Sequence, residues 1–367
     1  MKKITIILMG LITLISCSND DDCNNDPMIT VESFEAVVIE NPSEGQPIGT
    51  VNATANNGAS LVFSLDNQSV ANALEIDAVT GELSVLSTSA FDHDVNGTIT
   101  ATYSASSGTH TREAGITITV SLPVPENDLL AYYSFNGNAK DESIGTTDGV
   151  PSGVSFGLDR FQNANAAAVF NQFGAFVDLD DQDFFVGQDQ QFAISTWVKP
   201  NNFPTDTRNQ ITIIGKLSQT TATTPCGEFE QEFFTQLTNE GKVRVVYYEK
   251  DGTINRPYRW IESVNGVNED QWAHIAINYD GSIDTNDGKD RIDILIDGVS
   301  SPTTMVEKAG DVPTEILDTT SHLSIGNFLD SSGEVCHNRA FEGTIDDMAI
   351  YSRLLTVEEI TNLASDN

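Results

Sequence analysis

Glu228-Phe229-Glu230-Gln231-Glu232 sets three carboxylates at a spacing of two. On an extended strand that spacing puts all three on one face. Two carboxyls about 5 Å apart, one of them with a raised pKa, are what a retaining glycoside hydrolase needs. A different chemistry is offered by Tyr247-Tyr248 and Tyr258-Arg259-Trp260 with Asn255. Aromatic faces stack on sugar rings, while amides and carboxylates bond hydroxyls. The same cluster also suits a half-buried pair of strands. The loop from Asp280 to Asp290 is dense in oxygens but lacks the bidentate Glu of a calcium-binding loop, and it reads as a hairpin tip. The five histidines are scattered, and no HExxH or paired Cys/His spacing occurs. A zinc hydrolase or a thiol-held metal has no footing here.

The elements that position these residues are strands. From Ile29 to Leu122 apolar and polar residues alternate in short runs, as in Glu35-Ala36-Val37-Val38-Ile39 and Gly115-Ile116-Thr117-Ile118-Thr119-Val120. Period two with β-branched residues means strand, and about seven such runs suit an immunoglobulin-like sandwich. Pro123-Val124-Pro125-Glu126-Asn127-Asp128 reads as a semi-rigid linker. From Leu129 to Asn367 the alternation resumes, with one helical exception. There Thr356-Val357-Glu358-Glu359 has the form of a capping box, and Leu355, Ile360 and Leu363 supply an apolar face. The chain is therefore expected to be all-β, with domains at 29–122 and 129–367.

Charge narrows the partners. Fifty-four acidic residues against 18 basic ones give a formal net charge of −36, which excludes the phosphate backbone of nucleic acid as a partner. Met1-Lys2-Lys3 and the apolar run Ile4 to Ile15 form a signal peptide, too short to span a bilayer that needs about 20 residues. Residues 1–16 would be removed.

Leu14-Ile15-Ser16-Cys17 resembles the lipobox of bacterial lipoproteins, which implies that Cys17 carries the lipid and begins the mature chain. Ser18-Asn19-Asp20-Asp21-Asp22, within an acidic tether at 17–28, resembles the surface-export signal of lipoproteins in certain Gram-negative bacteria. The implied location is the outer membrane, lipid-anchored and exposed at the cell surface. Attachment then comes from lipid alone, because so acidic a surface repels anionic head groups. In such a compartment disulfides form, and Cys226 with Cys336, both in the C-terminal domain, are the natural pair. Cys23 has no evident partner.

Two further resemblances cover the rest. Val38-Ile39-Glu40-Asn41-Pro42, Thr80-Gly81-Glu82-Leu83 and Phe91-Asp92-His93-Asp94 resemble successive signatures of a cadherin repeat. That likeness implies Glu40, Asp92 and Asp94 as calcium ligands, although Ala55 or Asn56 and the stretch Tyr103–Ser106 stand where the family carries further acids. A spacer role is the expectation for this domain.

The C-terminal segment is similar to concanavalin A-like, laminin G-like jelly rolls. The likeness rests on Leu130 to Ser143, Ile194-Ser195-Thr196-Trp197-Val198-Lys199-Pro200, Gln271-Trp272-Ala273-His274-Ile275-Ala276, and Phe341 to Arg353. It implies one calcium ion held between Asp141 and Asp346, and core positions for Trp197 and Trp272. Asp346 and its neighbour Asp347 are expected to face opposite ways. Glu228, Glu230 and Glu232 resemble the catalytic strand of laminarinase-type glycosidases, but Glu230 stands where that motif has Asp.

These readings together predict a surface lipoprotein that binds a polysaccharide or glycoprotein glycan through Tyr258, Trp260 and Asn255 without catalysis. Adhesion to cell-surface proteins is the alternative, and glycoside hydrolysis the third.

Overall fold

The computed structural model describes residues 27–365 apart from 144, 146, 172–173, 189, 204–210, 220–228, 249–256, 284–286, 313–314, 317, 330–331, 334 and 338. The signal peptide, Cys17, Cys23, Cys226, Glu228 and Asn255 lie outside the described residues, and for Asp94, Glu230 and Cys336 only the backbone is described. Among the described residues no helix is long and apolar enough to cross a membrane. The chain divides into two compact units, one ending at Ser121 and one beginning at Leu122.

The first unit is a β-sandwich. Strand His110–Ser121 pairs in parallel with Phe34–Ile39 and antiparallel with Thr98–Ser107, which in turn pairs with Val62–Asp66. A three-stranded sheet of Pro47–Thr50, Glu82–Val85 and Leu74–Ile76 lies apart from that ladder. The alternation read from sequence becomes the core: Ile99, Ala101, Tyr103 and Ala105 from one strand meet Ile116, Ile118 and Val120 from the next, with Phe63, Leu74, Leu83 and Phe91. Buried Tyr103 needs a partner for its hydroxyl, and it donates to the carbonyl of Glu32 at 2.7 Å.

The second unit is a sandwich of two eight-stranded antiparallel sheets. In the first sheet, Gly343–Tyr351 lies centrally and pairs with Ala167–Phe170, Leu129–Tyr133 and Gln191–Pro200. Gln191–Pro200 then pairs with Ala273–Asp280, and that strand with Ile292–Ile296. The second sheet runs through Phe176–Asp178, Leu323–Ile325, Ile211–Gln219, Phe229–Leu237, Lys242–Tyr248, Tyr258–Gly266 and Thr303–Ala309. Phe192, Ile194, Ile275, Ile277, Ile345 and Ile350 from one sheet form a single apolar core with Ile214, Phe233, Val243, Val245, Ile261 and Ile325 from the other. Each sheet's inner face is thus one half of a strict alternation.

The outer face of the first sheet is apolar too, and it is covered. Tyr132, Ala193, Ala276, Leu295, Ala349 and Tyr351 pack with Leu355, Ile360 and Leu363 of the C-terminal segment, and with Leu122 and Val124. The stretch read as a linker therefore begins inside the second unit's packing. Helix Val357–Ala364 starts where expected: Thr356 accepts from the Glu359 N–H, and Glu359 accepts from the Thr356 N–H. Arg353 also pairs with Glu359 at 2.7 Å and holds that carboxyl down at about 2.

Candidate functional site

Pairing of Lys242–Tyr248 with Tyr258–Gly266 sets Tyr248 opposite Tyr258, Val246 opposite Trp260 and Arg244 opposite Glu262. Side chains at period two share a face. Val243, Val245, Tyr247 and Ile261 consequently point into the core, while Arg244, Tyr248, Tyr258, Trp260 and Glu262 stand on the outer face of the second sheet. The polar-aromatic run read as one cluster is split by this alternation. Tyr247 bonds the Gly288 carbonyl at 2.8 Å, and buried Arg259 is caged by the carbonyls of Asp287, Tyr258 and Ala309. Both serve the interior.

On the outer face three rings lie side by side. The Tyr248 and Tyr258 centroids are 5.3 Å apart, and those of Tyr258 and Trp260 are 6.1 Å apart. Phe234, Val246 and Phe328 form the apolar floor beneath them. Polar groups frame the row. Tyr258 donates to Glu307, Trp260 Nε1 donates to the Tyr248 hydroxyl at 3.4 Å, and Arg244 lies over the Trp260 ring at 5.1 Å while bonding Glu262 at 2.7 Å. Burial, followed by the Glu307 carboxylate, pushes the Tyr258 phenol up to about 12. Half-buried rings with charged groups at their margins can stack on a flat apolar face of a ligand and bond its edge.

The three-carboxylate strand behaves differently. Glu232 is fully buried, with Lys216 Nζ 3.4 Å away and Thr319 donating from its N–H and hydroxyl at 3.3 Å. Among the described residues its second oxygen has no donor, and burial above all pushes its carboxyl up to about 8. Asp183 and Asp318 each bring one carboxylate oxygen within 4.8 Å of Glu232. The Lys216 ammonium, 2.7 Å from Asp181 and 2.6 Å from Asp183, supplies positive charge at that cluster. A carboxyl so enclosed does not meet a polysaccharide chain. A serine motif, Gly153-Val154-Ser155-Phe156-Gly157, has the spacing of a nucleophile elbow. It runs through edge strand Val154–Gly157 instead of a strand-to-helix turn, and Ser155 is exposed.

The acids expected to share calcium have separate partners. Asp141 accepts from the N–H groups of Tyr132 and Ser143 at 3.0 Å and of Thr147 at 3.2 Å. Arg160 donates to Asp346 at 2.9 Å and to Asp347 at 2.6 Å through one nitrogen. The two neighbours do not face opposite ways, because a bulge between Ser195 and Trp197 disturbs the ladder there and Asp347 takes φ +45°. Burial and Asp347 push the Asp346 carboxyl well above its usual range against the pull of Arg160. As arranged, Asp346 and Asp347 hold an arginine, and Asp141 is held by backbone N–H groups.

Trp197 is not between the sheets. It stands on the outer face of the first sheet, 4.9 Å beneath Arg160 and beside His274, whose Nε2 is 2.8 Å from Ser195 Oγ. Burial, then Arg160, pushes His274 down to about 3. The cavity among these residues holds about 10 Å³, room for one water at most. In the first unit Glu40 accepts from His93 N–H at 3.4 Å, and Asp92 caps helix His93–Asn96 through Val95 N–H at 3.1 Å, so these two acids meet at one turn.

The family profile described as concanavalin A-like lectin/glucanases superfamily, Laminin_G_3, matches residues 171–361, just over half of the chain. The chain belongs to this superfamily. The concanavalin A-like chain is similar to domain 4 of AbnA, a GH43 extracellular arabinanase from Geobacillus stearothermophilus solved with arabinotriose. The identity is 20% over 65% of this chain and 98% of that one, with a TM-score of 0.40. It is also similar to the binding domain of Paraclostridial Mosquitocidal Protein 1, at 14% identity, 65% and 52% coverage and a TM-score of 0.44. The third cadherin domain of human protocadherin 7 matches at 26% identity over 29% of this chain and 93% of its own length, with a TM-score of 0.23. Curated proteins offer no match. The superfamily's name covers both binders and catalysts, so function has to be argued from the site.

Sequence reading passed over Arg244, on the same strand as Tyr248, and Arg339, which comes within electrostatic reach of both from another part of the chain. Alternation in Lys242–Tyr248 would have placed Arg244. Nothing in the local pattern marks Arg339.

Proposed function

We propose that the concanavalin A-like unit binds carbohydrate, without turning it over, on the outer face of its second sheet. The observation that carries this is the row of Tyr248, Tyr258 and Trp260 at 5.3 and 6.1 Å, bordered by Arg244, Glu262 and Glu307. Burial of Glu232 supports a binder over a hydrolase. In this reading the cadherin-like first unit is a spacer, and Cys17 anchors the chain by lipid to the outer membrane, facing outward.

A glycan-array screen of the purified chain, with calcium and with a chelator, tests it. Trp260→Ala should weaken capture by roughly 30-fold or more, as expected for loss of an aromatic anchor worth about 2 kcal/mol. Binding to protein partners with no glycan captured would refute the carbohydrate reading in favour of adhesion. Sugar release abolished by Glu228→Gln would refute the non-catalytic part.

A further inference from the structure

Arg339 is the feature that a neutral sugar leaves unexplained. It is half-buried, its backbone N–H bonds the same Asn327 side-chain oxygen as the N–H of Phe328 in the floor of the row, and its guanidinium lies within electrostatic reach of Arg244 and of the Tyr248 hydroxyl. Among the described residues its side chain donates no hydrogen bond and joins no ion pair; its backbone alone is bonded, the N–H to Asn327 at 3.2 Å and the carbonyl to the Thr212 N–H at 2.9 Å. Among the described residues most other enclosed cations are matched, Lys199 excepted. Arg160 has Asp346 and Asp347, Lys216 has Asp181 and Asp183, Arg244 has Glu262, Arg259 has its carbonyls, and Arg353 has Glu359. In a chain with 54 acids, a half-buried guanidinium within electrostatic reach of a second one and with no carboxylate partner among the described residues is an expensive arrangement.

Resting on the carbohydrate reading, we propose that the site takes a glycan bearing an anionic substituent, a carboxylate or a sulfate, and that Arg339 binds that group while the sugar ring lies against Tyr258 and Trp260. An anion there relieves the repulsion between Arg339 and Arg244 and restores the missing partner. Arg244 remains committed to Glu262. Geometry also limits charge density: Glu262 and Glu307 flank the row, and the whole chain is strongly negative, so the fitting ligand carries isolated acidic groups rather than a continuous polyanion.

The test is a cycle of ligand and protein changes on the full chain held in detergent. Calorimetry compares a galacturonate tetramer methyl-esterified at all but one carboxylate with the fully esterified form, and a singly sulfated galactan oligosaccharide with its desulfated form, for the native chain, Arg339→Gln and Arg339→Lys. Removing the ligand's charge should cost the native chain about 10- to 100-fold in affinity, the range for a charge-assisted hydrogen bond. In Arg339→Gln the same removal should cost less than about 2-fold, with Arg339→Lys between them, and unchanged thermal unfolding shows that the fold is kept. Which ligand pair shows the effect distinguishes carboxylate from sulfate. Equal binding of charged and neutral forms by the native chain overturns the anionic preference while leaving the carbohydrate reading intact. Charge discrimination that persists in Arg339→Gln overturns the role of Arg339. Failure of every glycan to bind overturns the reading beneath both.

Discussion

Replacing Lys216 by methionine leaves Glu232, fully buried, without its nearest positive charge. Above about pH 8, where Glu232 is ionised, breaking one side of a buried ion pair costs about 3–5 kcal/mol, whereas replacing both partners by apolar residues of similar size is often neutral or stabilising. For a unit of this size each kcal/mol is worth about 2–4 °C, so Lys216→Met should lower the melting temperature by roughly 6–20 °C. Lys216→Met combined with Glu232→Leu should recover most of that loss.

The pH dependence is an independent check. Glu232 sits at about 8, raised chiefly by burial and held down in part by Lys216. A carboxyl whose folded value lies above its unfolded one contributes stability that is full below about 4.5 and is lost as pH rises through the folded value. Removing Lys216 raises Glu232 further; both chains lose stability in parallel until the native value near 8 is passed, so the variant's deficit should grow only above about pH 8, by at most about 1.4 kcal/mol per pH unit. All three tryptophans, Trp197, Trp260 and Trp272, lie in the second unit, so urea unfolding followed by their fluorescence reports on that unit alone. Above about pH 8, a single-variant loss under about 1 kcal/mol, a deficit that does not grow with pH, or a double variant no better than the single would refute the account of this cluster.

Two further outcomes are expected. His274, pushed down to about 3 chiefly by burial, should show no imidazole titration by NMR between pH 4.5 and 8, and its contribution to stability is lost as pH falls below about 6.5 through its folded value; a midpoint near 6.5 would mean the ring is open to water. Gly288 has φ +75°, and a Cβ there would stand 2.5 Å from the Tyr247 hydroxyl, so Gly288→Ala should cost roughly 1–3 kcal/mol in urea unfolding, and an unchanged midpoint would contradict the described turn.

The all-β architecture was legible because strand alternation survives almost unbroken in stretches such as Ile194–Val198 and Ile116–Val120, and because Thr356 and Glu359 carry a local capping signal. Alternation tells which residues share a face but not which face meets the core. Tyr247 and Tyr248 therefore could not be told apart, and Trp197 was assigned inward although it lies outward beneath Arg160. Pairings across long stretches of chain were invisible for a different reason. Arg160 meets Asp346 across 186 residues, and only the bulge at Asp347 lets two neighbouring carboxylates reach one guanidinium. Arg339 comes within electrostatic reach of Tyr248 and Arg244 only through the fold.

Placing Gly343–Tyr351 in the middle of the first sheet has a consequence for the order of assembly. This strand bridges Leu129–Tyr133, Ala167–Phe170 and Gln191–Pro200, none of which pairs directly with another of the three. A chain emerging from the ribosome N-terminus first cannot zip that sheet until residue 351 has appeared, long after the first unit can have closed. Until then Leu129–Tyr133, Ala167–Phe170 and one edge of Gln191–Pro200 lack the partner they share. A nascent chain cut short before this strand would be left with edges that nothing of its own can cover.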